Sequence, residues 1–196
     1  MPSSDAPRAG RRVVLDSNVW IDILVFDDPD ARPIRDALET GAITALIDVR
    51  CLVELERVLD YPQFRARAVD KAAALATVAR LSERVAEPDR GNALNGTDLR
   101  HAPPAQAGRA GPPSPAGPAT PSPDDDAPPR PLPKCRDRDD QKFLELAYAA
   151  RADWLVSKDR ALLKLTRRTE RDFGFRIAQP APFAASALAA GASEPA

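Results

Sequence analysis

Apolar positions along this chain come in short runs, each followed by apolar residues at helical spacing. Val13, Val14 and Leu15 form a β-branched run between Arg11-Arg12 and the polar turn Asp16-Ser17-Asn18, the pattern of a short buried strand. Ser17 or Asn18 can cap the helix that follows, with Val19, Ile23 and Phe26 at i, i+4 and i+7. A short helix starts at Pro33, runs through Leu38 and ends at Gly41. A second strand over 43–47 ends on Asp48, and Leu52, Leu55, Val58 and Leu59 then mark a helix over 49–59 that stops before Pro62. An alanine- and leucine-rich helix is predicted over 68–85. Further on, Phe143, Leu146, Ala147 and Ala150 share a helical face behind Asp139 and Asp140. A strand over 154–156 runs into Ser157-Lys158-Asp159, followed by a helix over 160–168, a last strand over 173–177 and a helix over 180–188. Strands alternating with helices predict an α/β fold: a mostly parallel sheet covered by helices on both faces.

Composition breaks this order once. Residues 88–133 hold 13 of the 21 prolines, with Gly, Ala and Ser between them and almost no large apolar side chains. Such a segment cannot bury enough surface to offset its ordering entropy, so it is expected to be a disordered insert. Asp124-Asp125-Asp126 falls inside it and reads as solvated. The expected organisation is a tail over 1–10, one domain in two parts over 11–87 and 134–188, the insert between them, and a frayed tail over 189–196.

Charge and rare residues narrow the chemistry. A net charge of −1 gives no global field for nucleic acid, so any such contact needs a local basic patch. The single histidine, His101, lies in the insert, which excludes histidine bases, histidine-containing triads and histidine-ligated zinc. Cys51 and Cys135 supply neither a four-thiolate site nor a disulfide framework. The N-terminus lacks the apolar core of a secretory signal and no run is long enough to span a bilayer, so a cytoplasmic protein is expected.

Four acids stand out by placement. Asp16 ends the first strand, Glu54 borders the apolar stripe of the 49–59 helix, Asp140 opens a buried helix, and Asp159 follows the 154–156 strand. Each has an ordinary explanation: Asp16 as a turn acid, Asp140 and Asp159 as helix N-terminal acids, Glu54 as a partner of Arg57. Strand ends of one parallel sheet converge on one rim, however, and converging carboxylates repel unless a cation sits among them. Without histidine, a hard oxygen-seeking ion fits, Mg2+ or Mn2+. Such an ion points to phosphodiester or phosphoryl chemistry.

These residues resemble a family. Leu15-Asp16-Ser17-Asn18-Val19, the Glu54-Leu55-Glu56-Arg57-Val58-Leu59 helix, the 135–147 segment with Asp137, Asp139 and Asp140, and the 152–163 segment with Ser157-Lys158-Asp159 look like a PIN domain, in the subgroup of toxin components related to the virulence-associated toxin ribonucleases. The resemblance implies a three-layer α/β/α fold and a Mg2+-dependent endoribonuclease that prefers single-stranded RNA. By position, Asp16, Glu54, Asp140 and Asp159 match the family's catalytic, metal-binding acids, with Asp137, Ser17, Asn18 and Ser157 in support. Departures are Ser17 where threonine is commoner, Arg138 where proline is usual, and the long insert. Lys158, Arg160, Lys164 and Arg167 are the RNA-binding candidates, the last three on one face of the 160–168 helix. The expected partners are RNA and a cognate antitoxin protein, with a homodimer left open and no membrane. Against this stand a catalytically weak RNA-binding or scaffold module and a phospho-acceptor receiver domain, whose paired acids near the first strand Asp16-Ser17-Asn18 does not supply.

Overall fold

The computed structural model describes residues 10–65, 67, 69–86 and 131–189. Five strands form one all-parallel sheet: β1 (Arg11–Leu15), β2 (Ile43–Ile47), β3 (Ser82–Arg84), β4 (Trp154–Val156) and β5 (Arg176–Ala178), in the spatial order β3-β2-β1-β4-β5. Val13, Val14 and Leu15 are all buried although successive strand side chains face opposite ways, so β1 is covered on both faces. The α/β reading therefore holds. β1 is central, and the chain builds outward to β3 on one side before returning to place β4 on the other. That reversal creates a switch point between β1 and β4, the place where parallel sheets open a crevice at their carboxyl ends.

The first helix, α1 (Ser17–Ile21), continues as a wider π-helical turn over Asp22–Phe26 that closes at Asp27 with φ 48°. The wider turn rotates the following side chains, and Phe26 emerges 45% exposed rather than sharing the buried face of Val19 and Ile23. It meets the Phe64 ring at 6.0 Å instead. α2 (Arg32–Glu39), with Pro33 in its first turn, ends at Gly41 (φ 75°). α3 (Val49–Leu59) starts where expected, and a short α4 (Pro62–Arg65) follows it.

Three expectations are corrected. The 68–85 helix is α5 (Lys71–Leu81) only, because Ser82 turns to extended backbone (φ −130°, ψ 150°) and residues 82–84 pair with β2. That strand is edge, polar and mostly exposed, so no apolar alternation announces it. After α6 (Gln141–Ala149), the 160–168 helix is two helices, α7 (Arg160–Leu163) and α8 (Thr166–Phe173), separated at Lys164-Leu165. Phe173 ends α8, with Gly174 (φ 76°) closing it, so the last strand is 176–178 rather than 173–177. The final helix, α9 (Pro180–Phe183), runs on as a π-helical turn to Leu188. The expected disordered segment falls almost wholly on residues outside the described ones. Where description resumes, Leu132 packs on the core and Pro133 and Cys135 are buried.

Candidate functional site

Asp16 stands at the end of β1, 3% exposed, and it is Asp16 rather than Ser17 or Asn18 that caps α1. Its Oδ1 accepts the backbone amides of Asn18 (2.8 Å) and Val19 (3.0 Å), while Oδ2 accepts the hydroxyl of fully buried Ser157 at the end of β4. A backbone bond from Asp16 N to Val156 O (3.1 Å) brings the two strand ends together at the switch point. Burial raises the Asp16 carboxyl above its ordinary value even though these donors favour the anion.

Ser157 holds a second acid. Its Oγ accepts the Asp159 amide at 2.9 Å, and Asp159 caps α7 by accepting Ala161 N (2.5 Å) and Leu162 N (3.2 Å). Asp140 precedes α6 and makes no capping bond to it. Its carboxyl is pushed up to about 6 by burial and by the charges of Asp159, Asp137 and Asp16, in that order, with Lys142 opposing. Asp140 thus lies within electrostatic reach of Asp159, Asp137 and Asp16. Asp137 is exposed and folds its own loop by accepting Asp139 N at 2.9 Å.

Glu54 reaches the site from α3 but is already engaged. Ser17 Oγ donates to its Oε1 at 3.1 Å, and Lys142 forms an ion pair with its Oε2. Arg57, the partner in the ordinary reading of Glu54, lines with Val53, Tyr61 and Lys142 a cavity of about 260 Å3 beside this pair. Lys142, which is absent from the residues singled out by pattern, is thus the charged partner of Glu54. Its signal was an isolated lysine between the acid run 137–140 and the apolar turn at Phe143.

Of the predicted RNA contacts, Arg160, Lys164 and Arg167 are exposed, and they belong to two helices rather than one: Arg160 to α7, Arg167 to α8, with Lys164 between them. Lys158 turns back on the π-helical turn and the loop after it, pairing with Asp22 at 2.5 Å and Asp28 at 3.5 Å. Asn18 is exposed next to Asp16. Two further contacts hold the site's supports. Arg50 binds fully buried Asp48 (2.7 Å) and Glu145 (2.5 Å), locking α3 to α6. Gln141 accepts Cys135 N at 2.7 Å and donates to Pro133 O at 3.3 Å, fastening the loop that carries Asp137 and Asp140.

The donor set is all oxygen, and of the four acids only Glu54 has an ion pair among the described residues. That chemistry fits a hard divalent cation. The side chains are not drawn into a closed shell: among the described residues, no three His, Cys, Asp or Glu side chains are arranged to hold an ion. A PIN domain family model matches residues 12–161, from the first residues of β1 into α7. The chain belongs to the PIN domain family. No curated protein matches it. PIN domains are generally nucleases, hydrolases that act on nucleic acid and commonly use divalent metals. The matched span of this PIN domain contains Asp16, Glu54, Asp140 and Asp159 together. No helix among its described residues is long and apolar enough to cross a membrane.

Proposed function

We infer that the chain is a Mg2+-dependent endoribonuclease, with Mn2+ as an alternative ion, which cuts single-stranded RNA as the cytoplasmic toxin of a toxin–antitoxin pair. The observation that carries this reading is the meeting of Asp16 and Asp159 through Ser157 at the β1–β4 switch point of a parallel sheet, inside the span that the PIN family model matches. Surplus negative charge at a sheet rim suits a cation, and a cation among carboxylates suits a phosphate.

Asp16, Asp140 and Asp159 would hold the ion, with Glu54 beside them. When bound, Mg2+ would polarise a phosphodiester oxygen and lower the pKa of a coordinated water. The chain's own residues supply the rest. Ser157 fixes the orientation of Asp16 through its hydroxyl and of Asp159 through its main-chain amide. The α1 and α7 amides hold Asp16 and Asp159 at the rim without neutralising them outright. Arg57 and Tyr61 in the neighbouring cavity offer a phosphate contact and a stacking face for an unpaired base. Exposed Arg160, Lys164 and Arg167 would follow the RNA backbone.

A second reading, a catalytically weak RNA-binding or scaffold module, draws on the ion pair that occupies Glu54. A labelled single-stranded RNA incubated with the full chain separates the two. The enzyme reading expects cleavage with Mg2+ and none with EDTA; binding without cleavage at any divalent concentration overturns it.

A further inference from the structure

Lys142 is hard to account for as a surface lysine. Its side chain is 14% exposed, lies 4.8 Å from the Phe143 ring centroid, and donates to the Asp139 carbonyl while pairing with Glu54. An ammonium taken this far out of water is retained where a fixed negative charge answers it. Glu54, for its part, has one oxygen on the Ser17 hydroxyl and the other on Lys142. The other three are left differently: Asp140 caps no amide of α6, and Asp16 and Asp159 accept amide and hydroxyl hydrogens rather than an ammonium. Among the described residues, the cluster therefore divides into one acid ion-paired to an ammonium and three that are not.

We propose that Lys142 is the built-in counter-cation of this centre. It holds Glu54 out of the coordination shell, so that the site takes a single divalent ion on Asp16, Asp140 and Asp159. Four carboxylates and one ammonium carry three net negative charges, which one divalent ion brings close to neutrality. Without the ammonium, Glu54 is released, and its charge and oxygens become available to a cation. Lys142 is thus a positioning residue that sets both the charge and the ion count. This rests on the reading of the three aspartates as a metal site.

The test is Mn2+ binding to the full chain, followed by calorimetry and by the EPR signal of free Mn2+. Wild type is expected to bind one ion. Lys142→Met keeps the length and apolar packing of the side chain but removes its charge. Even heavily screened, removing a unit charge beside a divalent ion is worth on the order of a tenfold change in affinity. Lys142→Met should therefore bind Mn2+ at least about tenfold more tightly, or take a second ion. Lys142→Arg, which retains the charge, should match wild type. The double variant Lys142→Met, Glu54→Gln should return to one ion at near wild-type affinity. A merely structural lysine would show none of this sign pattern, and Lys142→Gln gives the same readout should the methionine variant not fold. Two ions in wild type, or weaker or unchanged binding in Lys142→Met, overturns the proposal while leaving the metal site standing. No binding in wild type removes the metal site and the proposal together, and Asp140→Asn, expected to weaken binding at least tenfold, tells the two failures apart.

Discussion

Asp140 offers the sharpest test of the site's electrostatics, because its carboxyl is held near 6 rather than at its ordinary 3.8. The folded protein therefore binds this proton more tightly than the unfolded chain does. Ionised Asp140 is a destabilising charge in the metal-free protein, fully so above pH 6, and the penalty disappears as pH falls through 6 towards 3.8. Two pH units correspond to about 3 kcal/mol, and solvent access to a half-buried carboxylate reduces this to about 1–2 kcal/mol. Asp140→Asn keeps the shape and removes the charge. In EDTA at pH 7.5, urea unfolding should find the variant more stable than wild type by about 1–2 kcal/mol, with the difference closing by about pH 4. With Mg2+ the order should reverse, since the ion stabilises the form it binds. A variant as stable as wild type or less so in EDTA at pH 7.5 would refute the charge-crowding argument.

Other supports of the site respond in distinct ways. Ser157→Ala leaves a carboxylate oxygen of buried Asp16 without its hydroxyl donor, so the protein should lose about 1–3 kcal/mol in chemical denaturation and cleavage should fall with it. Arg50→Ala strands fully buried Asp48 and should cost about 3–5 kcal/mol by the same measurement, far more than the loss of an exposed pair such as Arg35 with Glu39. Replacing Arg160, Lys164 and Arg167 together by Ala should flatten the salt dependence of single-stranded RNA binding by about 2 units of log Kd per log salt. An unchanged slope would take these side chains off the RNA path.

The parts of the fold that could be read from the sequence are those in which local pattern and burial agree. β1, β2 and β4 are short apolar runs closed by an acid or a serine, and the structure buries them in the centre of the sheet. β3 escaped because Ser82-Glu83-Arg84 is polar and becomes a strand only by pairing with β2, a tertiary effect with no local trace. The break at Lys164-Leu165 escaped because nothing in the composition of 160–168 opposes a helix; Thr166 instead donates to the carbonyls of Leu163 and Ile177. At the candidate site, the positions of Asp16, Asp140 and Asp159 before helix starts were legible from local pattern. What spacing could not show is pairing. Glu54 with Lys142, and Lys158 with Asp22, are contacts across 88 and 136 positions that depend on how helices dock on the sheet.

The central claim is that Asp16 serves a cation rather than only a helix cap, and Asp16→Asn addresses it directly. Asparagine can still accept the Asn18 and Val19 amides through its carbonyl and face the Ser157 hydroxyl with its amide, so the cap survives while the charge is lost. The decisive measurement is the rate of single-stranded RNA cleavage by wild type and by this variant in Mg2+. Loss of cleavage by about 100-fold or more, in a variant whose metal-free melting temperature is equal or higher, is the expected result. Cleavage by Asp16→Asn at the wild-type rate would contradict it.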